Sequence, residues 1–285
     1  MSETIQEWVT RCASGSPLGP ATSRVVDILA TQPSLASYAS TADLAERAKV
    51  TDATVVRTAR QLGFSGWPEL RLELRSRYLA TLSANQVLAE HRDGATNPVV
   101  DSIRRDIENL ESLARALDHQ AVHATAKAIH AAPRTLVIGS GSFAAPGLQL
   151  AHMAQTMGHD VQLDRHFGTH LVNSLNRLTP GDCLVTINLW WVAREVMEAT
   201  TIAQEAGITT CVITDRRSSP LAEAATHLIV TPSEGVSFFP SLTPTMAIIH
   251  GLLAEIARLG GDETRTAFEN TEAMWKRMRL FNGNG

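Results

Sequence analysis

Residues 51–67 read T-D-A-T-V-V-R-T-A-R-Q-L-G-F-S-G-W, and residues 40–50 before them read S-T-A-D-L-A-E-R-A-K-V. Together they predict two short helices joined by a tight turn. In the first helix Leu44, Ala45 and Ala48 share a face. Ser40 or Thr41 offers a hydroxyl that satisfies a free amide at its start. Lys49-Val50 makes the turn. Thr51 caps the second helix, whose Val55, Ala59 and Leu62 fall at the i, i+4, i+7 spacing of a buried stripe. Gly63 follows, where a helix end favours a left-handed residue.

Burying that stripe is expected to turn Thr51, Asp52, Ala53, Thr54, Val56 and Arg57 outward. Small, hydroxyl-bearing and basic side chains at a helix N-terminus suit a recognition helix. Small residues let the backbone approach base edges, threonines meet bases or phosphates, and arginine grips phosphate or guanine. Between Arg47 and Arg77 seven cations (Arg47, Lys49, Arg57, Arg60, Arg71, Arg75, Arg77) face three anions (Asp52, Glu69, Glu73). That excess supplies a sequence-independent attraction to DNA. An ordinary helical hairpin with a solvated basic face fits the same spacing.

Working outward, Ala21–Thr31 reads as a helix ended by Pro33, preceded by a weak helical stretch. Pro68 opens another helix, with Leu70, Leu74 and Tyr78 packing back on the hairpin. These elements predict an all-helical domain over residues 1–82, followed by a polar linker, 83–98. Helices are expected over Pro98–Leu117 and Gln120–Ala131. The period then changes. Short apolar runs at Arg134–Ile138, Asp160–Leu163, Cys183–Ile187, Thr209–Ile213 and His227–Val230 read as strands with helices between most of them. Such alternation implies a parallel sheet covered on both faces. Helices Ser241–Leu259 and Asp262–Leu280 follow. The fold class is therefore α/β, a helical N-terminal domain joined to an α/β/α domain over residues 99–285.

The 285 residues carry a net charge of −4, with 44% hydrophobic and 19% charged residues. This excludes a protein that coats nucleic acid generally, so DNA contact must be local to one face. No apolar signal region and no run of about 18 apolar residues is present, which predicts a cytoplasmic protein with no membrane partner. Cys12, Cys183 and Cys211 form no C-x-x-C pair and read as inert thiols. The ten histidines show no H-E-x-x-H spacing, so neither a metal nor a cofactor is expected.

Ligands of open parallel sheets bind beyond the C-terminal ends of strands. Three loops qualify: Gly139-Ser140-Gly141-Ser142, Asn188-Leu189-Trp190-Trp191 and Thr214-Asp215-Arg216-Arg217-Ser218-Ser219. The first combines glycines, free amides at a helix start and two hydroxyls, which suits a phosphate or other anion. Gly139-x-Gly141-x-x-Ala144, with Asp164 twenty residues beyond Ala144, also matches a dinucleotide fingerprint. An NAD-binding oxidoreductase is therefore one alternative. Asp164, His166 and His170 lie near the end of the second strand, and Phe238 and Phe239 are expected to pack the last helix.

The string Thr51–Trp67 resembles the helix-turn-helix of RpiR-type bacterial transcriptional regulators. L-V-I-G-S-G-S, Leu136–Ser142, and I-T-D-R-R-S-S-P-L-A, Ile213–Ala222, resemble their sugar isomerase (SIS) domain. The likeness covers about Ala21–Leu259, and Trp67 stands where Phe or Tyr is usual. It implies a regulator, not an enzyme, that binds operator DNA as a homodimer or homotetramer and senses a sugar phosphate or related small metabolite. Thr51, Thr54, Val56 and Arg57 would face the major groove, with Arg60 on a backbone phosphate. The family's third strand runs into a Ser-x-Ser-Gly loop. Here Ile187–Arg194 reads I-N-L-W-W-V-A-R, so two indoles replace small donors. Arg194 is a candidate partner for an anionic ligand and one of the two indoles for stacking on a ring, packing of Trp190 and Trp191 at a helix start or subunit contact being the other reading. The effector set expected is Gly139, Ser140, Gly141, Ser142, Asn188, Trp190, Arg194, Thr214, Asp215 and Ser219. A SIS-type sugar-phosphate isomerase is the other alternative.

Overall fold

The computed structural model describes residues 3–15, 17–92, 97–237 and 239–281. The chain divides into two compact units, Met1–Ser102 with Glu234–Phe239, and Ile103–Ser233 with Pro240–Gly285.

The first unit contains α1 (Ile5–Ala13), α2 (Pro20–Thr31), α3 (Pro33–Tyr38), α4 (Thr41–Ala48), α5 (Asp52–Gln61), α6 (Trp67–Thr81) and α7 (Ala84–Arg92). Its α4–α5 pair is specified locally. The Ser40 hydroxyl accepts from the Asp43 amide while the Asp43 carboxylate accepts from the Ser40 amide, a reciprocal cap. Lys49 turns left-handed at φ 53°, and Arg24 donates to the carbonyls of Ala48 and Lys49. Thr51 caps α5, and Gly63 at φ 94° ends it. The expected seam is buried: Leu44, Val55 and Ala59 are wholly enclosed, packed with Trp8, Val25, Leu29, Trp67, Leu70 and Leu74.

Three local readings need correction. The first stretch is not weak: Thr4 and Glu7 form a second reciprocal cap, and α1 buries Trp8 and Val9. Pro33 not only follows the end of α2 but opens α3, because its missing N–H costs nothing in a first turn. The segment read as linker is helical over α7, while Asp93–Thr96 lie outside the described residues.

In the second unit, α8 (Pro98–Ala116, entering from the first unit) and α9 (His119–Ala131) precede β1 (Thr135–Ile138). There follow α10 (Ala144–Thr156), β2 (Val161–Asp164), α11 (Thr169–Leu175), β3 (Cys183–Ile187), α12 (Arg194–Glu205), β4 (Thr209–Thr214), α13 (Pro220–Glu223), β5 (His227–Val230) and α14 (Thr243–Met278). The sheet is wholly parallel, in the order β2-β1-β3-β4-β5. Alternate side chains take opposite faces. Val137, Cys183, Val185, Cys211 and Ile213 join a core with α9, α10 and α14. Leu136, Ile138 and Leu184 join a second core with α11 and α12. The break expected between the last two helices is a kink at Gly261, φ 49° and ψ −118°, inside α14. Phe239 is 59% exposed, and Phe238 lies outside the described residues.

Candidate nucleic-acid interface and effector site

In the first unit the exposed edge of α5 carries Thr51, Asp52, Ala53, Arg57 and Arg60, with Val56 half-buried. Thr54 departs from the expected outward set, at 5% exposure. The buried arc of the helix is wider than the seam and takes in Thr54 and Thr58 as well. The Thr58 hydroxyl donates to the Thr54 carbonyl at 2.8 Å, and the Thr54 hydroxyl lies 3.1 Å from that of Thr51. Thr54 thus braces the cap, and it also accepts from Arg57 Nη2 at 3.3 Å.

The basic excess is narrower than the sequence count. Arg77 is buried against Glu73 at 3.0 Å and stacks over Trp8 at 4.4 Å. Arg75 stacks over Tyr38 and pairs with Glu234. Arg71 donates to the Ala39 carbonyl. These three cations hold the unit together. Arg47, Lys49, Arg57 and Arg60 remain exposed around the α4–α5 turn, and among the described residues no carboxylate pairs with any of them.

In the second unit the strand order reverses direction at β1, whose neighbours β2 and β3 lie on opposite sides. The point beyond the C-terminal ends of β1 and β3 is the place where such sheets take ligands. Gly139 is buried, and a Cβ there would lie 2.7 Å from the Phe143 carbonyl oxygen. Gly141 adopts φ 56° in a 3-10 turn, Gly141–Phe143, that leads into α10. The Ser140 hydroxyl donates to Asn188 Oδ1 at 3.2 Å, joining the first two loops. Asn188 is fully buried and donates to the carbonyls of Leu189 and Trp191. Ser142 is exposed at the mouth.

Trp190 is a strained residue of the loop after β3, a non-glycine at φ 57°. Three hydrogen bonds hold it there. Its amide donates to Asp215 Oδ1, its indole N–H donates to Ser233 Oγ at 3.0 Å, and its carbonyl accepts from Arg216. The Ser233 hydroxyl donates in turn to Asp215 Oδ2. Trp190 is 3% exposed, packed as the other reading of the indoles has it; Trp191 is the indole that reaches solvent. Asp215 organises the loops, and Ser219 caps α13 through the Ala222 amide. Thr214 is buried at the end of β4. Arg194 is exposed at the start of α12 and pairs with Glu198 at 2.7 Å. The loops after β1, β3 and β4 therefore meet, with the interior roles falling to Asn188, Trp190, Thr214, Asp215 and Ser219. Ser233 and Arg216 were missed as members, since nothing in their spacing announces a contact with a residue 26 or more positions away.

The dinucleotide alternative loses its ribose acceptor. Burial alone would raise the Asp164 carboxyl, but the Ser174 hydroxyl, the His166 amide and the His170 ring outweigh it and hold it below the usual carboxylate range. The carboxylate accepts from all three. The strand order also differs from the 3-2-1-4-5-6 order of dinucleotide-binding sheets. The thiols of Cys183 and Cys211, far apart in sequence, lie 3.7 Å apart on adjacent strands. Their contact and burial push Cys183 well above the ordinary thiol range.

A helix-turn-helix unit followed by a parallel α/β unit whose loops meet at the topological switch point is the organisation of a two-part transcriptional regulator. Residues 13–81 match the helix-turn-helix domain of the rpiR family, and residues 128–254 match the SIS domain. The chain is 29% identical over 223 residues to the HTH-type transcriptional regulator HexR of Pseudomonas aeruginosa, covering 75% of each. Its fold is similar to that of the sugar isomerase domain of an RpiR transcription factor from Sphaerobacter thermophilus. That match is 28% identical with a TM-score of 0.59, over 61% of this chain and 98% of the other. The Vibrio vulnificus NanR protein complexed with ManNAc-6P has a similar fold at 20% identity and a TM-score of 0.61, over 97% of this chain and 100% of that one. The chain belongs to the RpiR family of transcriptional regulators with a SIS domain.

Proposed function

We propose that this regulator binds operator DNA through the exposed edge of α5 and that a small anionic metabolite, a sugar phosphate or a relative of one, sets its affinity through the loops beyond β1 and β3. The protein acts as a homodimer or homotetramer and not as an enzyme. The observation that carries the first half is the unneutralised cluster of Arg47, Lys49, Arg57 and Arg60 around a locally capped helical pair, on a chain of net charge −4. The second half rests on the loop Gly139–Ser142, where a glycine-dependent turn and two hydroxyls stand at the switch point. NanR, a fold relative, was solved with ManNAc-6P.

The indole-containing loop after β3 bears on the choice of ligand. Asn188 and Trp190 leave no run of small donors there, so the anionic group is held by the first loop alone, with Ser142 at its mouth. An effector works only by its difference in affinity for two states of the regulator. The test is a mobility-shift assay of the full chain on the promoters beside its own gene, repeated with a panel of sugar phosphates and non-phosphorylated sugar acids. A salt-sensitive shift altered by one class of compound is expected. Absence of any shift at low salt sinks the DNA half. Turnover of a hexose phosphate sinks the claim that this site only senses.

A further inference from the structure

β2 ends at Asp164, and the following loop carries His166 and His170. The loop doubles back through Gly168 at φ 65°, whose amide donates to Glu195 Oε2 at 3.1 Å. The first turn of α11 then returns His170 to the strand end. His170 Nδ1 lies 2.9 Å from Asp164 Oδ2, and His166 Nδ1 lies 3.4 Å from Asp164 Oδ1. The two rings are 4.4 Å apart between centroids. One donor atom from each of the three residues lies within 4.8 Å of the others. The carboxylate is 3% exposed and the rings are 59% and 60% exposed, so the cluster is buried at its base and open at its mouth.

We propose that Asp164, His166 and His170 form a binding site for a divalent transition metal of the zinc class. Two imidazoles and one carboxylate select zinc, cobalt, nickel or copper over magnesium and calcium, which prefer all-oxygen shells. Metal–ligand bonds of about 2.0–2.2 Å in a tetrahedron set ligand atoms roughly 3.3–3.6 Å apart. The two histidine–carboxylate distances already bracket the lower end of that range, so a small rotation of the exposed rings completes the geometry. The carboxylate is fixed from behind, as metal-ligating carboxylates are. The Ser174 hydroxyl donates to Oδ2 at 2.5 Å, and the His166 amide donates to Oδ1 at 2.8 Å. Both imidazoles would bind through Nδ1 and carry their proton on Nε2. Three protein ligands leave the fourth position to water or to an anionic ligand. The placement is also informative: Asp164 is the register partner of Ile138, the residue before Gly139. The backbone that carries Asp164 therefore runs about one strand spacing, ~4.8 Å, from the strand end that leads into the loop Gly139–Ser142. The competing account is two surface histidines hydrogen-bonded to a buried aspartate, with no ion.

The experiment uses the full-length chain, stripped with a chelator and dialysed against Zn²⁺ and, separately, Co²⁺. The expected result is one ion per chain, with cobalt giving the intense visible absorption of a tetrahedral site. His166→Gln and His170→Gln each weaken binding at least tenfold, and the double variant abolishes it. Both rings are exposed, so neither variant should shift the melting temperature of the metal-free protein. If either does, the wild type decides: Zn²⁺ protecting His166 and His170 from diethyl pyrocarbonate, mapped by mass spectrometry, supports the site, and equal modification with and without Zn²⁺ overturns it. Failure of the wild type to retain metal, or a double variant that retains as much, also overturns it. None of these readouts involves DNA or effector, so the site stands or falls separately from the proposed function.

Discussion

Arg57 concentrates the DNA-binding proposal in one side chain. It projects from the second turn of α5, exposed, and its guanidinium donates to the Thr54 hydroxyl. A cation so placed contributes to binding and almost nothing to folding. Arg57→Ala is therefore expected to weaken operator binding by roughly tenfold, within the ~1–3 kcal/mol range for a base-reading arginine, while leaving the melting temperature unchanged. Anisotropy titrations at two salt concentrations separate its two roles. Loss of discrimination at one base pair marks readout, whereas a uniform loss with a shallower salt slope marks phosphate contact. Unchanged affinity removes α5 from the groove. The neighbouring Thr54 teaches the opposite lesson. Its type and spacing suit a recognition surface, but the helix needs its hydroxyl to brace the Thr51 cap, and no sequence pattern distinguishes those two uses of a threonine.

At the scale of elements, the strands were the most legible part of the chain. Short apolar runs bounded by Gly, Asp and Pro leave little choice once both faces of the sheet must be covered, and Cys183–Ile187 and His227–Val230 coincide with β3 and β5. The caps of α4 and α5 were legible for the same reason, since hydroxyl and carboxylate spacing is local. What stayed hidden is non-local: α3 behind Pro33, the bracket that Asp215, Arg216 and Ser233 build around Trp190, and the approach of Cys183 to Cys211. Gly147 is a further case. It lies inside α10, where glycine is unfavourable by about 1 kcal/mol relative to alanine, and nothing in the sequence explains it. In the structure a Cβ at this position would lie 2.9 Å from Leu163 Cδ1 and 3.1 Å from Val137 Cγ1. The glycine lets α10 pack directly on β1 and β2. Gly147→Ala therefore gains helix propensity but overpacks the core, a cost of typically 1–3 kcal/mol. Urea denaturation should show net destabilisation of up to about 2 kcal/mol. A stabilised variant would mean that the sheet side chains yield freely.

For the whole molecule, the charge balance predicts how stability follows pH. His159 is half-buried, with a buried Nε2 that has no hydrogen-bond partner among the described residues. Desolvation lowers its affinity for a proton, the nearby His130 lowers it further, and Glu263 opposes the shift only in part. Burial lowers His227 as well. A histidine whose folded value is depressed binds fewer protons in the folded chain than in the unfolded one. Its penalty is absent well above the unfolded value, about 6.5, and grows as pH falls below it. Carboxylates act in a separate window. Glu255, held at about 2 by Arg258 first and His123 second, keeps its contribution until pH falls below the ordinary glutamate value, about 4.3. Stability measured by urea titration should therefore decline between pH 7 and pH 5, above the window in which the Glu255 contribution is lost. His159→Gln should flatten that decline without removing it, because His227 remains, and it should leave the steeper loss below pH 4 in place. Identical slopes for the variant and the wild type between pH 7 and pH 5 would show that the His159 imidazole takes up its proton as readily in the folded chain as in the unfolded one.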